Sequence, residues 1–287
     1  MMRHRIGYGA LLIAIMLVLF WLEYRVLHLW KGLAVAAVVT VLGLVGLLEY
    51  DRLVRRCGFK PFTGVAMAAA GVLFAWIAVS IVRYPHVADV APDWWWIGTI
   101  GGLFFAAAMI GDRRRRLGDL GVTLLGLVAV VLGLAQFVVL EQKYGLPILV
   151  LTLAAVKLND MAGYFAGSFF GRYHPFKELS PNKSVAGFGA GWLVSIGLGV
   201  LYATLFVPRA DLAHPLTVVQ GVVFGLAVGV AGQLGDLFES YIKRQADAKD
   251  SGQVLPAFGG VLDMIDSPLL AGPVALVVLN AFGPAGG

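Results

Sequence analysis

Acidic, hydroxyl and basic side chains crowd one short stretch late in the chain. In Gly235-Asp236-Leu237-Phe238-Glu239-Ser240-Tyr241-Ile242-Lys243-Arg244, the residues Asp236, Ser240, Lys243 and Arg244 recur at the spacing of one broad helical face, with Glu239 on a less involved face. Lys249 and Asp250 follow, then Leu255-Pro256 and Gly259-Gly260, then Asp263 and Asp266, whose carboxylates share a direction if a helical turn carries them. Further upstream, Lys157, Asn159 and Asp160 interrupt an apolar run. Carboxylates beside lysine and arginine, with no histidine or cysteine among the ligands, suit Mg²⁺ and phosphate chemistry. Mg²⁺ takes one or two carboxylates plus substrate oxygens and keeps several waters, while Lys and Arg neutralise the phosphates. Two plainer readings stay open: a solvated loop with ordinary charges, and a structural ion pair between Lys157 and Asp160.

The elements that position these residues are membrane spans. Of 287 residues, 59% are apolar and 14% charged, against roughly 25% charged in soluble domains, so the chain cannot coat a globule of its size. Uncharged runs of about 17 to 23 residues are each long enough to cross a hydrocarbon core about 30 Å thick. They predict an all-α polytopic integral membrane protein with about nine transmembrane helices: Ile6 to Leu22, Gly32 to Leu48, Pro61 to Val82, Trp94 to Gly111, Leu120 to Leu140, Leu146 to about Phe170, Val185 to Val207, Leu216 to about Ser240, and Pro268 onward. Residues 1–145 form the N-terminal helices and 146–287 the C-terminal catalytic region with its cytoplasmic loop. The first span resembles a signal peptide but lacks a small-residue cleavage site after it, and is read as retained.

Orientation follows from the cations. With the N-terminus and the loops after spans two, four, six and eight on one side, that side holds 16 of the 22 Lys and Arg, which makes it cytoplasmic and places the C-terminus outside. Arg113 to Arg116 then act as an orientation signal, and Trp94-Trp95-Trp96 as an interfacial belt. Gly221, Gly225, Gly229 and Gly232 let helix backbones approach closely. The net charge of +5 forms no continuous stripe, so no nucleic-acid partner is expected, and the single cysteine, Cys57, is a bystander.

The stretch Ser240 to Asp266 resembles the signature of the phosphatidate cytidylyltransferases, or CDP-diacylglycerol synthases. Ser240, Lys243, Arg244, Lys249, Asp250, Gly252, Leu255, Pro256, Gly259, Gly260, Asp263 and Asp266 stand at the family's spacing over 27 positions. Asn159-Asp160, Tyr164-Phe165, Gly167, Gly171-Arg172, Ser180-Pro181-Asn182-Lys183-Ser184 and Gly187-Phe188 resemble its upstream pattern. Phe258, Ala257 and Met264 depart from the family's His, Gly and Arg, and Asn182 and Ser184 from its Lys and Thr.

The resemblance implies a reaction of CTP with phosphatidic acid that yields CDP-diacylglycerol and pyrophosphate. It implies Asp236, Asp263 and Asp266 as ligands of Mg²⁺, with a second cation conceivable, and Lys243, Arg244, Lys249 and Lys183 as phosphate contacts. Asp250 belongs to the same catalytic set. Ser240 and Ser180 would hydrogen-bond phosphate, and Asn159 and Asp160 would line the head-group cavity. Integral placement in a plasma membrane, the inner one in a bacterium, is implied, and a homodimer is left open. The alternatives are a CTP-dependent polyprenol or dolichol kinase, which transfers the γ-phosphoryl group, and a secondary transporter built around the ionisable groups of spans six and eight.

The orientation has a direct test. In a background lacking Cys57, cysteines at Asp112 and Ala248 should be shielded from an impermeant thiol reagent in intact cells while one at Ala210 is labelled. Labelling of all three from one side contradicts the arrangement.

Overall fold

A computed structural model describes residues 32–83, 117–205, 214–252 and 259–283. Seven helices among them are long and apolar enough to span a membrane, and no strand is present among the described residues. They are α1 (Leu33–Arg56), α2 (Thr63–Arg83), α3 (Leu117–Tyr144), α4 (Leu146–Phe170), α5 (Val185–Leu205), α6 (Val218–Gln245) and α7 (Val261–Ala281). The predicted spans Ile6 to Leu22 and Trp94 to Gly111, with Trp94-Trp95-Trp96 and Arg113 to Arg116, lie outside the described residues. Two boundaries differ from expectation. The second predicted span ends at Leu48, where α1 continues through eight more residues to Arg56; the last begins at Pro268, where α7 has already started at Val261.

The described chain divides into two compact units, one drawn from 1–142 and 245–265, the other from 143–244 and 266–287. The loop after α6 thus groups with the N-terminal helices.

In the first unit, Gly32 opens α1 in the left-handed region at φ 89°, and Arg55 and Arg56 in its last turn complement the negative end of the helix dipole. The turn to α2 is pinned by polar side chains on three helices. Asp119 Oδ1 accepts the Lys60 amide at 2.7 Å, Thr123 Oγ1 accepts the Phe62 amide at 3.1 Å, and Thr63 Oγ1 donates to Asp51. Tyr50 lies against Gly126 and donates its hydroxyl to the Val122 carbonyl at 2.9 Å, just before α3 widens into a π-turn over Leu127–Leu132.

The second unit is built on glycine contacts. A methyl group at Gly199 would overlap the Gly221 carbonyl, and one at Gly225 the Ser195 carbonyl, so α5 and α6 meet backbone to backbone. A methyl at Gly187 would lie 2.7 Å from the Gly163 carbonyl oxygen, which joins α4 to α5 in the same way. With lipid as apolar as leucine, such dispersion contact between backbones is a main source of association between spans. The outward faces carry apolar side chains such as Leu193, Val219 and Val223.

Ala248 is buried, so Lys249, which is exposed, is the better cysteine site for the loop after α6. Gly199→Leu should cost at least about 3 kcal/mol, because backbone rather than a flexible side chain must move. Gly197→Leu on the open side of α5, where nothing lies within 4 Å, should leave thermal unfolding in detergent unchanged. Equal destabilisation by the two would contradict the packing.

Candidate functional site

The second unit carries a hydrogen-bonded set inside its spans. Asn159 on α4, 2% exposed, donates Nδ2–H to Ser195 Oγ on α5 at 2.9 Å and accepts from Gln233 Nε2 on α6 at 2.8 Å. Gln233 Nε2 also donates to the Phe188 carbonyl, and Ser195 Oγ lies 3.1 Å from the carbonyl oxygens of Ala155 and Gly191. Glycine makes the room: a methyl at Gly191 would overlap Asn159 Oδ1, and one at Gly229 would lie 2.7 Å from Ser195 Oγ.

Above this set opens a pocket of about 220 Å³ lined by Asn159, Asp160, Ser180, Lys183, Gln233 and Asp236, with the first turn of α5 along one wall. Of the residues expected to contact substrate, Asn159, Asp160, Ser180 and Lys183 come together here beside Asp236, whereas Ser240 is not among the lining residues. Lys183 Nζ pairs with Asp236 Oδ2 at 2.7 Å and lies over the Phe188 ring. Ser184 caps α5, its Oγ accepting the Gly187 amide at 3.2 Å, which fixes the segment that carries Ser180 and Lys183. The positive end of the α5 dipole therefore faces the region of the pocket and favours anions there.

Asp236, Glu239 and Asp266 each bring a carboxylate oxygen within 4.8 Å of the others. Gly235 permits this, since a methyl there would overlap the Asp266 carbonyl and hold α6 off α7. Asp266 Oδ1 accepts the Ser267 amide at 2.6 Å, Ser240 Oγ donates to Asp236 Oδ1 at 3.4 Å, and Ser267 Oγ donates to Asp160 Oδ2 at 3.1 Å. Lys243 pairs with Glu239 one turn away. Three carboxylates, with serines and a lysine around them, form an all-oxygen donor set of the kind a hard divalent cation takes. Glu239, expected on a less involved face, is 1% exposed and part of this group, because it follows Asp236 by three residues on α6. Arg244 is exposed and donates Nε–H to the Leu179 carbonyl at 3.2 Å.

The first unit holds the remaining predicted residues. Lys249 and Asp250 are exposed. Asp263 lies in the first turn of α7, and its Oδ2 accepts Ser251 N–H, Ser251 Oγ–H and Gly260 N–H, each at 2.8 Å. This is the side-chain half of a capping box, in which the third residue of a helix reaches back to the residue before it. Glu49, which sequence reasoning missed, reaches the same place from α1. Its Oε2 accepts the Leu262 amide at 2.8 Å and lies 3.2 Å from Ser251 Oγ. Leu255, Pro256, Ala257 and Phe258 lie outside the described residues, and Met264 is half-buried. Burial, and after it the Asp247 carboxylate, raise the Cys57 thiol above its ordinary pKa.

Because Asn159, Ser195 and Gln233 share hydrogen bonds, Asn159→Ala and Gln233→Ala should each cost about 0.6 to 2 kcal/mol. The double variant should cost less than the two added. Strict additivity in reversible unfolding from mixed micelles contradicts the shared network.

The cytidylyltransferase family model matches residues 3–282. The phosphatidate cytidylyltransferase of Synechocystis is 30% identical over 265 residues, covering 83% of this chain and 86% of that protein. The Chlamydia pneumoniae phosphatidate cytidylyltransferase is 29% identical across 95% of this chain and 93% of its own length. That of Bacillus subtilis is 38% identical over 141 residues, about half of each chain (49% and 50%). A family match that runs nearly end to end, on a helical membrane protein with a lysine-aspartate pocket, places the chain in the cytidylyltransferase family.

Proposed function

We infer that the protein transfers the cytidylyl group of CTP to phosphatidic acid, forming CDP-diacylglycerol and releasing pyrophosphate. The pocket that holds Asp160, Ser180, Lys183 and Asp236 in a member of this family carries the reading. A phosphate oxygen of the lipid attacks the α-phosphorus of CTP, the bond from that phosphorus to the α,β-bridging oxygen breaks, and pyrophosphate leaves with the electron pair. The attacking phosphate is already ionised near neutral pH, so no strong general base is needed. Catalysis reduces to alignment and neutralisation of charge.

Lys183, released from Asp236, neutralises phosphate in the pocket, and Ser180 donates a hydrogen bond beside it. Lys243, Arg244 and Lys249 supply further positive charge at the end of α6 and in the loop after it, and Asp250 completes the loop's polar set. Asn159 holds the pocket floor in register through its helix-bridging hydrogen bonds, and Asp160 forms its wall. Asp236 and Asp266, joined by Glu239, are the residues of the second unit that would hold Mg²⁺, and the resemblance assigns Asp263 the same role; the ion would supply charge stabilisation for the triphosphate. A second cation beside it belongs to the same reading. The bias of 16 of 22 Lys and Arg to one side supports a cytoplasmic N-terminus and active site, in the plasma membrane, the inner one in a bacterium.

Purified protein in nanodiscs, given Mg²⁺, phosphatidic acid and CTP labelled at either the α- or the γ-phosphorus, separates cytidylyl from phosphoryl transfer. The α-label should enter the lipid and the γ-label should appear in pyrophosphate. A γ-labelled lipid means a kinase instead. Asp236→Asn and Asp263→Asn should each lower kcat at least about a hundredfold, since loss of a metal contact worth about 3 kcal/mol has that effect. Met264→Arg, which returns the family's residue, should bring no gain.

A further inference from the structure

Among the described residues of the first unit Glu49 is the most deeply buried carboxylate, at 1% exposure, and neither the family signature nor the pocket uses it. Its Oε2 is held by the Leu262 amide, the second residue of α7, where the partial positive charge of a helix start favours an anion. Among the described residues its Oε1 meets no hydrogen-bond donor. A buried carboxylate with a half-matched charge is costly, and a neutral amide or hydroxyl would cap Leu262 at lower cost. A carboxylate at this place calls for a role that its charge and shape fulfil.

The neighbours supply one. Ser251 Oγ stands between two carboxylates, 2.8 Å from Asp263 Oδ2 and 3.2 Å from Glu49 Oε2, and accepts the Asp263 amide at 3.3 Å. A serine hydroxyl has one proton and two acceptor sites. Ser251 also donates its backbone N–H to Asp263 Oδ2, so this one residue provides two of the three donors on that oxygen. The space around the trio is closed by glycine. A methyl at Gly252 would overlap Glu49 Oε1, and one at Gly260 would overlap both Ser251 Oγ and Glu49 Oε2. Glu49 therefore touches both supports of Asp263: the serine that orients its carboxylate and the helix start that carries it.

We propose that Glu49 is a positioning residue that acts through Ser251 and the Leu262 amide to fix the Asp263 carboxylate in the orientation that holds a divalent cation. This rests on the reading of Asp263 as a metal-holding residue. With three donors on Oδ2, rotation of the carboxylate is arrested, and its orientation is set before a cation arrives. Partners that orient a ligand in this way commonly govern metal affinity by about 10- to 100-fold.

The probe is Mn²⁺, read by electron paramagnetic resonance on the full-length protein in nanodiscs, with and without CTP. Glu49→Gln keeps side-chain size and an acceptor for Leu262; Ser251→Ala removes the hydroxyl from the other end. Each should weaken Mn²⁺ binding about tenfold, and the double variant should be little worse than either alone. Mn²⁺ affinity equal to wild type in both variants, with Asp263→Asn losing it, overturns the role of Glu49 while leaving the metal role of Asp263 intact. Wild-type affinity in Asp263→Asn, or no Mn²⁺ bound by the native protein, removes the premise instead. If Glu49→Gln fails to fold, Glu49→Asp, which keeps the charge but draws the carboxylate back from Ser251 and the Leu262 amide, takes its place, and wild-type Mn²⁺ affinity in that variant overturns the role of Glu49.

Discussion

A polar side chain within the hydrocarbon layer has no water to fall back on, and the hydrogen bonds among Asn159, Ser195 and Gln233 answer that constraint at the centre of three helices. The bonds need the helices close, and the helices come close because glycine stands wherever a side chain would intervene. Gly199 and Gly221 set the α5 to α6 distance, Gly163 and Gly187 the α4 to α5 distance, and Gly191 and Gly229 the space for the amides themselves. The rigid floor beneath the pocket follows from this. Without it, the loop that carries Ser180 and Lys183 would have no fixed relation to Asp236.

Charge within the pocket obeys the same logic with higher stakes. An unpaired Lys183 or Asp236 would carry a desolvation cost of several kcal/mol, and their contact at 2.7 Å removes much of it. In the proposed reaction the pair would be exchanged: an incoming phosphate would take the lysine and a cation the aspartate, so that neither charge is left bare. Transfer to a lipid phosphate suits such a site, because both substrates are anionic and nothing in the chemistry demands a histidine. The first unit follows a different local solution, in which carboxylates sit at the start of α7 and take backbone amides as partners.

Ionisable residues inside apolar runs were the legible part of this site. Asp160 and Asp236 stood out in the sequence because their cost in a bilayer is high, and the pocket joins them with Lys183 and Ser180. Glu239 is expected on a less involved face, yet it lies three residues after Asp236, a spacing that makes side chains neighbours on a helix. Glu49 was missed because the apolar run was closed at Leu48, at the first charge, whereas α1 runs on to Arg56 and buries that carboxylate. Pro268 likewise looked like the opening of the last span, yet the caps from Asp263 and Glu49 start α7 seven residues earlier. The common cause is physical. Span boundaries are set by what caps and neutralises a helix end, and those partners are remote in sequence.

In the proposed reaction Lys183 and Asp236 would exchange their mutual contact for substrate. An experimental structure in nanodiscs with Mg²⁺ and a CTP analogue whose α,β-bridging oxygen is replaced by methylene tests it most directly. The account predicts phosphate density within charge-assisted hydrogen-bonding distance of Lys183 Nζ and separation of that nitrogen from Asp236 Oδ2. A nucleotide bound elsewhere, with the Lys183 to Asp236 pair intact, would contradict it.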